Sequence, residues 1–73
     1  MQIKVNQIIQ AASERYPYTH RVELLSDNHT EHWINNNTVS DWLNENSIPH
    51  TQTGRGVFYL NSEDTSWLLL RWT

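Results

Sequence analysis

The run His29-Thr30-Glu31-His32 gathers the side chains best suited to metal chemistry. Imidazole nitrogens bind zinc, and His20, His50 and Asp27 could complete a ligand set. The pair His29 and His32 shares a face only if the segment is helical; on a strand the two rings point to opposite sides. The run lacks the HExxH frame, in which a glutamate between two ligands serves as base. We read these as ordinary surface histidines and expect no metal and no cofactor.

Two acid pairs come next, Asp41/Glu45 and Glu63/Asp64. Paired carboxylates do general acid–base work only inside a cleft that drives their pKa values apart. Both pairs fall on polar stretches, so solvated faces are expected. On a helix, Asp41 and Glu45 lie one turn apart, where like charges cost roughly 0.2–0.5 kcal/mol. No Gly-x-Ser-x-Gly elbow surrounds a serine, and Gly54-Arg55-Gly56 is too short to cradle a phosphate. The expectation is a protein that is not an enzyme.

Seventy-three residues with a net charge of −3 and no cysteine hold these groups. The length suits a single small domain over 1–73, which buries only ~60% of the surface of its unfolded chain. Without cysteine, disulfides and thiolate metal sites are excluded. Large aromatics remain: Trp33, Trp42, Trp67, Trp72, Phe58, Tyr16, Tyr18 and Tyr59, each carrying ~150–250 Å². Trp33 and Trp42 are read as core. The five basic residues, Lys4, Arg15, Arg21, Arg55 and Arg71, are scattered. Nucleic acid and anionic membrane both need clustered cations, so neither is an expected partner. No apolar run approaches the ~18 residues of a membrane span, and no leader is readable at Met1-Gln2-Ile3-Lys4. The expected location is cytoplasmic.

The elements that must position these groups follow from periodicity. Val5, Ile8, Ile9, Ala12 and Tyr16 recur at helical spacing, which predicts a helix over Ile3–Arg15 ended by Pro17. Arg21-Val22-Glu23-Leu24 alternates, predicting a strand over His20–Ser26. Thr30–Ile34 suits a returning strand or a helical turn; its Thr, Trp and Ile favour the strand. Asn35-Asn36-Asn37 reads as a loop. Thr38 reads as an N-cap with Asp41 in a loose capping box, opening a helix with Val39, Trp42 and Leu43 on one face. Asn46-Ser47 and Pro49 end it, and Ile48 can pack back. His50–Gly56 reads as a loop, and Val57–Leu60 as a strand.

Nine of the sixteen residues from Val57 to Trp72 are apolar, in a chain otherwise polar. The five-residue connector Asn61–Thr65 suits a hairpin, which makes Ser66–Trp72 the last strand. The competing reading is a helix capped by Ser62, with Glu63 and Asp64 where the helix dipole favours acids. We take the strand. The fold class is then α+β: two helices on one face of a small, mostly antiparallel sheet ending in a C-terminal β-hairpin, in the order α-β-(β)-α-β-β.

From Thr38 to Trp72 the text resembles a winged helix-turn-helix domain. Thr38-Val39-Ser40-Asp41-Trp42-Leu43 looks like a recognition helix, Gly54-Arg55-Gly56-Val57-Phe58-Tyr59-Leu60 like the first wing strand, and Trp67–Trp72 like the second. The resemblance implies nucleic-acid binding through Ser40, Asn44 and Arg55, as a regulator of transcription or excision. Asp41 and Glu45 on the helix, and Glu63 and Asp64 at the wing tip, carry the wrong sign for phosphates. In size, acidity and aromatic content the chain also resembles the short accessory proteins of phages and mobile elements, which act by stoichiometric binding to host machines.

The leading expectation is therefore a small non-enzymatic protein-binding domain, an inhibitor or adaptor of a host protein complex. Asp41, Glu45, Glu63 and Asp64 would meet a basic patch, with Tyr59 or Trp72 as the aromatic anchor. A winged-helix nucleic-acid binder is the alternative. Self-association as a homodimer through the edge of the final strand is a third reading.

Overall fold

Ile3 and Val5 on one side of the backbone, with Lys4 and Asn6 on the other, set the first element, a strand. The computed structural model describes residues 1–8 and 18–72. Its elements are β1 (Gln2–Gln7), β2 (His20–Leu25), α1 (His29–Glu45), β3 (Thr51–Gly54), β4 (Val57–Leu60) and α2 (Ser62–Trp72). The four strands form one sheet in the order β1-β2-β4-β3, antiparallel at each pairing. Among the described residues, no helix is long and apolar enough to cross a membrane.

The register fixes the two faces. Val5 pairs with Val22 and Val22 with Phe58; Ile3 pairs with Leu24, and His20 with Leu60. Side chains two apart on a strand share a face. Val22, Leu24, Phe58 and Leu60 thus point one way and are buried with Val39 and Leu43 of α1 and Leu68 of α2. Both helices therefore cover the same face of the sheet. Full burial of each such side chain is worth ~1.5–3 kcal/mol, and one core cluster collects them all. The opposite face carries Lys4, Glu23 and Val57 in one row and Asn6, Arg21, Tyr59 and Thr51 in the next. There Arg21 Nη1 donates to Glu23 Oε1 at 2.9 Å. That bond, first, holds the Arg21 guanidinium above its usual range; burial opposes it and Tyr59 adds to it. A raised cation contributes stability below its unfolded pKa and loses it only as pH passes the folded one. For arginine that window lies above working pH, so this group gives stability no pH dependence there.

Polar contacts dock α1. Asn28 caps it, its Oδ1 accepting from the Glu31 amide at 2.9 Å. One turn in, His32 Nε2 donates to the Leu24 carbonyl at 3.1 Å. Buried Asn36 accepts at one oxygen from the Gly56 amide at 2.7 Å and from Gln52 Nε2 at 2.9 Å. Gly56, at φ +78°, turns β3 into β4, and a Cβ there would fall on the His32 ring. The helix ends in a Schellman motif: the Ser47 amide bonds to Asn44 O and the Ile48 amide to Leu43 O, with Ser47 at φ 53°.

The α+β class, the two helices on one face, the antiparallel sheet and a C-terminal hairpin are all present, and so is the strand expected at His20–Ser26. The element order is β-β-α-β-β-α. Residues 3–7, read as the start of the helix Ile3–Arg15, are strand β1, because the period-two pair Ile3/Val5 meets Leu24 and Val22. Positions 9–15 of that expected helix lie outside the described residues. Thr30–Ile34 is helix rather than strand, and Asn35–Asn37 is helix rather than loop. Thr38 is no cap; it lies inside α1, where its hydroxyl donates to Ile34 O at 2.8 Å. The loop expected at His50–Gly56 holds β3, so the hairpin is β3–β4.

Ser66–Trp72 is helix, not strand. Asn61, rather than Ser62, caps it by accepting from the Asp64 amide at 2.8 Å. Glu63 and Asp64 follow in the first turn and Arg71 stands in the last, each at the end the dipole favours. Thr65 and Leu68 turn inward at helical spacing. The second wing strand of the winged-helix resemblance is therefore α2. The final-strand edge assigned to self-association does not exist either; the sheet's outer strands are β1 and β3.

Candidate partner-binding surface

The helices α1 and α2 carry most of the exposed large apolar side chains among the described residues. Of six exposed large apolar side chains among the described residues, four are on the helices: Trp33, Ile34, Trp67 and Leu70. Trp67 is 58% and Leu70 73% exposed. They stand three apart, so both lie on the side of α2 opposite buried Thr65 and Leu68. Trp33 is 47% exposed, which corrects its reading as core. Its ring is capped by Arg55, whose Cζ lies 4.7 Å from the ring centroid. Trp42, half-buried, packs against the core as expected.

The same surface is acidic. Glu31, Asp41 and Glu45 on α1 and Glu63 and Asp64 on α2 make five carboxylates against two guanidiniums, Arg71 on α2 and Arg55 over the Trp33 ring. The open sheet face carries Lys4, Arg21 and Glu23 instead. Among the described residues, five of the seven Asp and Glu side chains and both exposed tryptophans, Trp33 and Trp67, are on the helices.

Within that layer the helices leave a groove of about 280 Å³ lined by Thr38, Asp41, Trp42, Glu45, Arg71 and Trp72. Its wall is the Trp42–Trp72 pair, edge to face with centroids 5.1 Å apart and planes at 82°. The Arg71 guanidinium stands 5.2 Å from the Trp72 centroid. Among the described residues, neither Asp41 nor Glu45 has an ion-pair partner; the pair present is Arg21–Glu23. A second hollow of about 300 Å³ lies by Met1, Leu25, Asp27 and Glu31. It has no aromatic wall, so the groove between the helices is the better candidate.

The structure brings together only part of the expected site. Asp41, Glu45 and Trp72 meet at the groove. Glu63 and Asp64 stand in the first turn of α2 and Trp72 ends it, about 12–14 Å apart at 1.5 Å per residue. Tyr59 is on the far face of the sheet, in the row with Arg21, so it cannot act with the others. Of the alternative nucleic-acid set, Ser40 is half-buried and Asn44 exposed, both in the later half of α1. Arg55 lies at the hairpin turn beside Trp33 and His29, its Nη1 3.4 Å from His29 Nε2. Eleven residues, ~16 Å of helix, separate Trp33 from Asn44, so these three residues do not converge. The histidines are occupied locally: His20 with Thr19, His50 with Ile48 O and His32 with Leu24 O. Among the described residues no three His, Asp or Glu side chains group as a metal site.

Trp67, Leu70 and Arg71 on α2 and Thr38 on α1 are surface residues that sequence reasoning missed, and Trp42, read as core, also lines the groove. For the α2 residues the signal was the helical alternative for the segment capped by Ser62; at helical spacing Trp67 and Leu70, three apart, share one side. The fold and surface define a small α+β domain with an acidic, aromatic helical layer over one sheet face. Compared with protein-family models, curated proteins and solved structures, the chain matches none.

Proposed function

We propose that this chain is a small non-enzymatic protein-binding domain that docks the outer side of its two helices on a basic patch of a partner. The observation that carries this is the coincidence, on one layer, of five carboxylates with exposed Trp33, Ile34, Trp67 and Leu70. Exposed apolar area of this kind marks interaction surfaces, and tryptophan is over-represented among residues that dominate binding energy. The surrounding carboxylates select a cationic partner and speed encounter with it. Such a domain acts by stoichiometric occupation, as an inhibitor or adaptor of a host complex of the kind phages and mobile elements encode, in the cytoplasm.

The test is capture of a partner from host lysate by the immobilised chain, repeated with two variant sets. Trp67→Ala/Leu70→Ala removes the apolar anchor, and Asp41→Asn/Glu45→Gln/Glu63→Gln/Asp64→Asn removes the charge. The reading expects a one-to-one complex weakened by both sets and by added salt. Retention indifferent to both sets, or no specific retention, overturns it.

A further inference from the structure

The groove between α1 and α2 is more specific than the surface around it. Asp41 and Glu45 stand one turn apart on α1, neither of them in an ion pair among the described residues, and like charges at that spacing disfavour the helix. Opposite them, Trp72 presents an aromatic face to a guanidinium, that of Arg71. The edge-to-face contact with Trp42 holds the Trp72 ring in place. A planar guanidinium stacks on an aromatic ring while its N–H groups bond to carboxylates; an ammonium cannot stack in that way. Arg71 is exposed, stands in the last turn of α2 and has no ion-pair partner among the described residues.

We propose that this groove is the specificity pocket for an arginine side chain of the partner: Trp72 is the stacking face, Asp41 and Glu45 are the acceptors, and Arg71 is the resident guanidinium that the incoming one displaces. The assignment rests on the protein-binding reading above and narrows it to one side-chain chemistry. It is chosen over the Trp33–Arg55–His29 cluster, where the guanidinium also meets His29 and no carboxylate pair is part of the cluster. It is also chosen over the open sheet face, where Arg21 is already paired with Glu23.

The experiment titrates the full chain with a blocked arginine-containing hexapeptide and with its lysine and citrulline counterparts. The indole N–H resonances of the four tryptophans are followed. Saturable shifts confined to Trp42 and Trp72, largest for arginine and absent for citrulline, are expected. The Asp41→Asn/Glu45→Gln variant should weaken binding by about fivefold or more, as expected for two part-exposed charge contacts. Arg71→Gln should tighten it, because the resident cation is gone. Three results overturn the assignment: shifts spread over all four indoles, equal binding of citrulline or lysine peptide, or Arg71→Gln that fails to tighten binding. The broader reading is separable. If a partner is captured through Trp67 and Leu70 while the groove takes no arginine peptide, only the pocket fails. If the groove takes the peptide and capture ignores every variant, the docking reading fails, and the groove keeps its affinity for arginine but loses its role with the partner.

Discussion

The two halves of α1 do different work with the same backbone. From His29 to Asn37 its inward side is polar: His32 and Asn36 meet the Leu24 carbonyl, the Gly56 amide and Gln52. From Thr38 to Glu45 its inward side is apolar, Val39 and Leu43, and its outward side carries Asp41 and Glu45 at the groove. The first half positions the hairpin by satisfying backbone groups that would otherwise be buried unpaired. The second half is held by burial, which is non-directional, so its outer positions remain open to function. One helix thus serves as a hydrogen-bonded clamp at one end and carries the proposed site at the other.

The largest expected effect tests the apolar half. Leu43→Ala should cost about 2–5 kcal/mol, the range for a fully buried leucine, seen as a lower urea midpoint at unchanged slope. A loss under about 1 kcal/mol would mean that the second half is not held by burial. The clamp is tested next. Gly56→Ala must adopt a left-handed backbone, about 1–3 kcal/mol, and must also push His32 off the Leu24 carbonyl. Gly54→Ala, with nothing within 4 Å of its Cβ, is the control and should change stability by well under 1 kcal/mol. Equal effects at the two glycines would remove the clamp.

Asn36→Ala should cost about 1–3 kcal/mol, because it strands the buried Gly56 amide. Hydrogen exchange checks this directly: protection at Gly56 should fall more than at Leu43. If both amides exchange alike, the polar seam is not a separate unit. The smallest effect has the opposite sign. Asp41→Asn/Glu45→Gln should raise stability by about 0.2–0.5 kcal/mol through relief of like charge, while weakening partner capture. A variant that loses stability and binding together would make these carboxylates structural and erase the contrast between the halves.

How much of this was readable beforehand divides along the same line. Val39, Trp42 and Leu43, with the stop at Asn46-Ser47 and Pro49, gave the apolar half of α1 its correct place. In the polar half, Thr30, Trp33 and Ile34 favour a pleated strand, and Asn35-Asn36-Asn37 reads as loop because asparagine offers the backbone local alternatives to helix. Asn36 is retained inside the helix by a hydrogen bond to Gly56, twenty positions away. Of the proposed site, Asp41, Glu45 and Trp72 stand out by residue type alone, and the structure places all three at the groove. Their meeting with Arg71 was not legible in the sequence, because it depends on where α2 crosses α1.

The sequence by itself determined the α+β class, the strands at His20–Ser26 and Val57–Leu60, and the acidic, aromatic character of the surface. Those follow from local alternation, composition and charge, which need no partner segment to be expressed. Tertiary structure alone decided that Ile3 and Val5 lie in a strand, that Asn35–Asn37 is helix, and that Ser66–Trp72 is helix with Trp67 and Leu70 exposed. Each of these segments has a periodicity compatible with two conformations. The choice was made by the element that buries it: β2 for Ile3 and Val5, the hairpin turn for Asn36, and the shared core for Leu68.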